Sequence, residues 1–257
     1  MSLDALIFDV DGTLADTEEV HRTAFNMAFE RFGLGWHWGR VQYRSLLNIT
    51  GGKERMLGYI SQLSITPAEK QDLIRLLPEI HAEKTRVYSA VVKDGAVPLR
   101  PGTLRLIEEA QAAGCRLAIA STTTAMNIDA LLQSAFGTRG LDIFHVIACG
   151  DQVRAKKPAP DIYKLALHHL GVAPENAVAF EDSANGMHAA VAAGLWTVIT
   201  PTYWTEEAGF SGAGLLLPHL GDPNLPLPNE PGQHLRDAAW LTLGELSQRA
   251  EARQANG

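Results

Sequence analysis

The chain has 257 residues, 46% of them hydrophobic and 20% charged, with a formal net charge of −7. This is ordinary globular composition for a core domain carrying a smaller inserted one, and it excludes chain-wide disorder. The acidic balance argues against nucleic acid or a membrane as partner, and no apolar run reaches bilayer length, but a small anion in a local basic pocket stays open.

The start, Met1-Ser2-Leu3-Asp4-Ala5, has no basic stretch ahead of an apolar one, so no secretory signal is expected. Five apolar strand-like runs follow, at residues 5–10, 116–120, 145–149, 177–180 and 197–200. Segments of helical character separate the later four. That alternation predicts an α/β fold, with a doubly wound parallel-sheet (Rossmann-like) core that binds ligands at the carboxyl ends of its strands. More than a hundred residues separate the first two runs, too many for one crossover and too helical for a loop. The expected division is therefore an inserted all-helical cap over residues 17–94, and a core of residues 1–16 plus 95–257. Glycines and prolines around Gly95, Pro98, Pro101 and Gly102 suit a hinge. Pro78 predicts that a cap helix begins there. Pro218, Pro223, Pro226, Pro228 and Pro231 predict an irregular loop, residues 237–244 a last edge strand or docked segment, and residues 245–257 a fraying helix. Cys115 and Cys149 lie in apolar runs, which predicts two buried free thiols and a cytoplasmic setting. No Cys/His spacing suggests zinc.

Chemistry-bearing residues stand where these strands end. Asp9-Val10-Asp11-Gly12-Thr13 closes the first run, and Glu181-Asp182-Ser183 follows the fourth. Carboxylates crowded at one sheet edge repel unless a cation relieves them, and a hard dication with oxygen ligands, Mg2+, fits. The second run ends in Ser121-Thr122-Thr123-Thr124, whose hydroxyls and following helix N-terminus suit an oxyanion. After the third come Lys156-Lys157-Pro158, with Lys157 the better candidate to point back over the strand ends. Each piece has a plainer reading: an acidic turn cap, a Ser/Thr helix cap, a basic surface pair.

The ordered set is more specific than any piece. It resembles the haloacid dehalogenase superfamily of aspartate-nucleophile phosphatases and phosphomutases, over about residues 3–217. The resemblance implies that Asp9 attacks phosphorus and that Asp11 protonates the leaving oxygen and then activates water. It implies a magnesium ion held by Asp9, the Asp11 backbone carbonyl and Asp182, with Glu181 orienting them, while Ser121 and Lys157 hold phosphoryl oxygens. The second aspartate argues against carbon–halogen chemistry.

Selectivity falls to the cap. Phe25, Phe29 and Phe32 form one helical stripe that Glu18 and His21 continue toward the linker, either as sugar contacts or as a buried His–Glu pair. His81, Lys84, Tyr88 and Val92 share another face, where a buried lysine needs a counter-ion. Thr50-Gly51-Gly52-Lys53-Glu54-Arg55 could let backbone approach an anion. Lys53, Arg55 and Lys84 together would make a second anion site, distant from the metal. Trp36 and Trp38 are cap core or substrate-facing.

These cap motifs, with the Thr-rich second motif, resemble the CbbY-type phosphatases, which remove one phosphate from xylulose-1,5-bisphosphate, an inhibitory by-product of Rubisco. The resemblance implies a phosphorylated sugar as ligand, contacted by Glu18, Gly51, Gly52, Lys53, Glu54, Arg55, His81, Lys84 and residues 121–127, including Ser121, Thr122, Thr123 and Asn127. Asp16-Thr17 also resembles beta-phosphoglucomutase, which keeps a mutase open. A non-catalytic sugar-phosphate sensor is the reading from another class. A monomer is expected.

Overall fold

The computed structural model describes residues 3–95, 97–228, 235 and 239–256. The first apolar run lacks alternation, as a strand covered on both faces requires, and β1 (Ala5–Phe8) is buried throughout. It ends before Asp9, because Thr13 and Leu14 donate back to the Val10 carbonyl and turn the chain. The sheet continues with β2 (Arg116–Ala120), β3 (Val146–Ala148), β4 (Ala177–Glu181), β5 (Trp196–Ile199) and β6 (Leu215–Leu216). All pairs are parallel, in the order β3-β2-β1-β4-β5-β6. β6 adds to the five expected strands; two residues at an edge leave no periodic signal. β1 lies between β2 and β4, so the residues after these three strands meet at one rim.

Successive side chains alternate across the sheet. Leu6, Phe8, Leu117, Ile119, Val178 and Phe180 pack with residues of α5 (Thr103–Ala112) and α6 (Ala125–Phe136). Phe8 and Phe180 stack at 4.5 Å. The opposite face is alanine-rich: Ala5, Ala118, Ala120, Ala177 and Ala179 join Ile7 against α7 (Asp161–Leu170) and α8 (Ala184–Ala192).

Between β1 and α5 lie α1 (Glu18–Arg31), α2 (Arg40–Leu46), α3 (Gly52–Gln62) and α4 (Pro67–Lys93), with no strand among the described residues. They enclose a core of their own, including Phe25, Phe29, Trp38, Tyr43, Met56 and Ile60. Trp38 is fully buried there, edge-on to Phe29 at 4.7 Å, and Trp36 packs against the same cluster, so both serve the cap core. The expected helix start at Pro78 is corrected: α4 begins eleven residues earlier (78 − 67 = 11). Thr66 and Glu69 form a reciprocal capping box and Pro67 takes the first helical position. Pro78 lies on the exposed side, where water can serve the carbonyl that its missing N–H leaves unbonded.

The linkers on either side of these helices run together. Ala15 bridges Leu99, and Arg100 N–H donates to the Leu14 carbonyl at 2.8 Å. The Arg100 guanidinium donates to the carbonyls of Gly12 (2.5 Å), Pro201 and Pro218 (both 3.0 Å), tying the crossing to the end of the sheet. Ala96 lies outside the described residues.

The stretch 218–228 is irregular, as its prolines predict, with an isolated bridge between Asp222 and Leu225. Pro231, residues 237–238 and Gly257 lie outside the described residues. The rest of 237–244 docks without forming a strand: Leu241 is fully buried, its N–H donating to Leu220 O at 2.9 Å. Leu243–Asn256 forms α9, which begins two residues before the expected position (245 − 243 = 2). Both cysteines are buried and free. No helix of the described residues is long and apolar enough to cross a membrane.

Candidate active site

The rim of the sheet gathers the motifs. Lys157, buried, donates to Asp9 Oδ1 (2.7 Å), Glu181 Oε1 (2.6 Å) and the Ala120 carbonyl (2.9 Å). An ammonium has three protons, and each has a partner here. The Tyr163 hydroxyl donates to Glu181 Oε1 at 2.6 Å, and the Ser183 hydroxyl approaches Oε2 at 3.5 Å. Glu181 is thus tied down. Gly186 leaves it room, since a Cβ there would fall 1.9 Å from Oε2.

Carboxylate oxygens of Asp9, Glu181 and Asp182 lie within 4.8 Å of one another, all three buried. Burial pushes Asp182 well above the usual carboxylate range, with the charges of Asp9 and Glu181 adding to it. Burial raises Asp9 too, against the pull of Lys157. Burial alone would lower Lys157, but its two carboxylates outweigh that and raise it. One ammonium against three carboxylates leaves excess negative charge in a buried, all-oxygen site. A hard dication fits that donor set. Asp9 and Asp182 are placed to hold it, whereas Glu181, held by Lys157 and Tyr163, is placed to orient them. Gly12 turns the chain at φ 82°, and a Cβ there would lie 2.3 Å from Asp182 Oδ2.

The fourth expected acid departs from that cluster. Asp11 turns its carboxylate to the cap, accepting from Thr17 Oγ1 (2.6 Å) and pairing with His21 Nε2 (2.8 Å). Only its backbone carbonyl remains for the metal that the resemblance implies. Lys84 Nζ stands 2.5 Å from His21 Nδ1. An ammonium has no lone pair, so Nδ1 accepts and Nε2 carries the hydrogen given to Asp11. His21 also stacks on Tyr88 at 4.1 Å. The partner of His21 is therefore Asp11, which removes the alternative of a buried His–Glu pair; Glu18 instead accepts from the Tyr43 hydroxyl at 2.8 Å. Burial would raise Asp11, but His21 and the hydrogen bonds from His21 and Thr17 hold it well below the carboxylate range.

Beyond β2, Ser121 is buried and its Oγ accepts from Thr123 N–H at 3.3 Å. Thr124 caps α6 by accepting from Asn127 N–H, and Asn127 Nδ2 donates to Thr123 Oγ1 at 2.9 Å. Buried Asn127 Oδ1 has no partner.

Core and cap residues line one cavity of about 210 Å³. Its core wall includes Asp9, Asp11, Ser121, Thr122, Thr123, Lys157 and Asp182, and its cap wall Glu18, His21, Gly51, Gly52, Lys53, Glu54, Arg55, His81 and Lys84. Glu181 lies behind the core wall. Arg55 is fixed by bonds from Nη1 to the Tyr43 hydroxyl (3.0 Å) and from Nε to Leu46 O (3.2 Å). Lys84 sits over the Phe25 and Tyr88 rings at 4.9 and 5.2 Å. Burial lowers Lys84 to about 8 despite the pull of Asp11. Burial, then Lys84 and Lys53, lower His81 to about 3, so its imidazole is neutral.

Several residues here carried no sequence signal. Thr205, Asn185 and Asp151 also line the cavity, beside Lys156 of the expected lysine pair. Asn185 Nδ2 joins core to cap through Asn48 O (3.1 Å) and Thr50 Oγ1 (2.9 Å). Tyr163 reads as an ordinary apolar position of an amphipathic helix, and its hydroxyl bond appears only in three dimensions.

Residues 6–200 match the family model of the haloacid dehalogenase-like hydrolases. The chain belongs to that family. This hydrolase is 48% identical over 246 residues to the plasmid protein CbbY of Cupriavidus necator, covering 95% of each chain. Among solved structures it is similar to CbbY from Rhodobacter sphaeroides in complex with phosphate. The identity is 46% and the TM-score 0.78, covering 84% of this chain and 94% of that one. A mutant of the same CbbY in complex with xylulose-(1,5)bisphosphate matches with 46% identity, a TM-score of 0.79 and the same coverage. The family and the likeness to the CbbY proteins make the chain a phosphatase.

Proposed function

We propose that the chain is a magnesium-dependent sugar-phosphate phosphatase that hydrolyses xylulose-1,5-bisphosphate to xylulose 5-phosphate and inorganic phosphate. The observation that carries this reading is the shared cavity. Its core wall offers a carboxylate nucleophile beside an ammonium, and its cap wall offers Lys53, Arg55 and Lys84. A substrate with a phosphate at each end needs both walls. The bisphosphate in complex with the related CbbY supports the choice of sugar. Residues 17–94 act as the cap over a core of residues 1–16 and 95–257. The chain acts as a monomer, and two buried free thiols suit the cytoplasm.

Asp9 forms a bond to phosphorus as the bond to the sugar oxygen breaks, and that oxygen leaves with a proton from Asp11. A water then gives its proton to Asp11 and attacks the same phosphorus, releasing phosphate and restoring the Asp9 carboxylate. Ser121 holds a phosphoryl oxygen, and Lys157 joins it by giving the proton it shares with Asp9 Oδ1 to another phosphoryl oxygen as the Asp9 carboxylate bonds to phosphorus. Asp9, Asp182 and the Asp11 carbonyl would hold a magnesium ion, which when bound would supply positive charge against the phosphoryl oxygens. Asp11 is an ionised acceptor of two hydrogen bonds, the form suited to activating water. Both hydrogen bonds fall on Oδ1, which leaves Oδ2 to give and take the proton. Gly51, Gly52, Glu54, Glu18, His81, Thr122, Thr123 and Asn127 shape the space for the sugar and its far phosphate.

The test is a phosphate-release screen over sugar mono- and bisphosphates with added magnesium. Xylulose-1,5-bisphosphate is expected to give the highest kcat/KM. Isomer formation without phosphate release would mean a mutase, and no turnover of any sugar phosphate would leave a sensor.

Lys84 gives a pH prediction. It is charged below about 8 and neutral above. Attraction for the far phosphate is therefore present at neutral pH and fades as pH rises through that value. KM for the bisphosphate is expected to climb above pH 8, by up to about tenfold per unit. Lys84→Met should raise KM at pH 7 and flatten this limb; a KM independent of pH in the wild type would remove Lys84 from the binding wall.

A further inference from the structure

The loop after β5 takes no part in the four motifs, yet it touches both the cap and the acidic cluster. Residues 202–206 form a tight turn. Trp204 N–H donates to Thr202 Oγ1 (3.1 Å), and Thr205 and Glu206 N–H donate to the Thr202 carbonyl (3.0 and 2.9 Å). Thr202 N–H donates to Thr205 Oγ1 at 3.0 Å. A hydroxyl has one proton and accepts through its lone pairs. With Thr205 Oγ1 accepting from the backbone, its proton is left for Asp182 Oδ2, 3.2 Å away. Among the described residues no other side chain donates to the Asp182 carboxylate. Gly12 packs against the same oxygen, at the position where a Cβ would collide with it. Oδ2 is therefore held from two sides.

The other side of the loop belongs to the cap. Trp204 is 4% exposed and lies in the cap's aromatic cluster, edge-on to Tyr43 at 5.6 Å. Tyr203 lies under the Arg40 and Arg44 guanidiniums at 5.2 and 5.0 Å. Arg44 also pairs with Glu207 (2.9 Å) and Glu206 (3.4 Å), but those glutamates are exposed and such pairs contribute little. Buried Trp204 is the grip.

We propose that Thr205 is a positioning residue for Asp182, and that the cap, by gripping Trp204, sets how tightly the carboxylates take a divalent cation. This rests on the reading that Asp9 and Asp182 hold magnesium. Coupling is reciprocal, so cation binding must favour the gripped cap by the same factor that the grip favours the cation.

Titration calorimetry of magnesium chloride into the full chain, without substrate, tests it. Thr205→Val is expected to weaken magnesium binding roughly tenfold, the usual scale for a lost partner of a metal-binding carboxylate, and Thr205→Ser to restore it to within about twofold. Trp204→Ala is expected to weaken binding several-fold although Trp204 does not touch Asp182. Trp204→Leu replaces it if the alanine variant does not melt cooperatively. Asp182→Asn is the control for the underlying site. Wild-type affinity in Asp182→Asn would overturn the metal site itself. Lost affinity in that control with wild-type affinity in Thr205→Val would overturn the positioning role alone. Weakened binding in Thr205→Val with none in either Trp204 variant would overturn the link to the cap.

Discussion

Asp9→Asn lowers phosphate release by roughly four orders of magnitude or more while the chain stays folded, as expected when a nucleophile is removed from groups that act as a unit. The amide oxygen can still accept from Lys157, so the hydrogen bond at 2.7 Å has a substitute. The change also removes one negative charge from a buried cluster of three carboxylates, which relieves repulsion. The melting temperature without magnesium should therefore stay level or rise. The two readouts separate chemistry from folding: activity collapses and stability does not. Acid-quenched wild-type enzyme should carry a trapped phosphoryl group that the variant lacks. Residual turnover within tenfold of the wild type would mean that the nucleophile is another group.

Much of this site could be read before the fold. Parallel strands buried on both faces are continuous apolar runs, and in such sheets ligands meet the carboxyl ends of the strands. The positions of Asp9, Ser121 and Asp182 follow from that, whereas Lys157 stands well beyond the end of β3 and reaches the rim only in three dimensions. His21 and Lys84 stood out because they interrupt apolar helical stripes, and the structure buries both at the cavity. What they bind to was not legible. His21 pairs with Asp11 across the linker rather than with Glu18 on its own helix, because the chain turns at Gly12 and carries Asp11 under α1. Glu181 was expected to orient the metal residues, but what holds it in turn was not legible, because Lys157 and Tyr163 come from outside its own motif. Thr205 and Arg100 sit in loops without periodicity. Their partners lie far away in sequence, so spacing carries no trace of them. Pro78 misled because a proline is a frequent helix start, whereas here the capping box at Thr66 and the exposed side of α4 outweigh it.

Lys157→Met is expected to have the second large effect, and on both stability and rate. The thioether matches the length of the stem but offers no proton to Asp9, Glu181 or the Ala120 carbonyl. Breaking a buried pair by removing one partner typically costs about 3–5 kcal/mol, because the charge left behind has neither water nor counter-ion. The midpoint of urea unfolding should fall accordingly. Phosphate release should drop by about 10²–10³-fold in kcat, the scale for losing one donor to a developing oxyanion. The double variant Lys157→Met with Glu181→Gln separates the two losses. Neutralising Glu181 removes one stranded charge, so part of the stability should return, while the missing ammonium leaves kcat low. The wild-type contribution of Lys157 is also constant at neutral pH. Its proton affinity is raised in the folded state, so the stabilisation is complete below the ordinary lysine range and fades only as pH rises through the raised value. A Lys157→Met chain that unfolds at the wild-type urea concentration would mean that the surrounding carboxyls are protonated when buried. The charged network at this rim would then lose its cause.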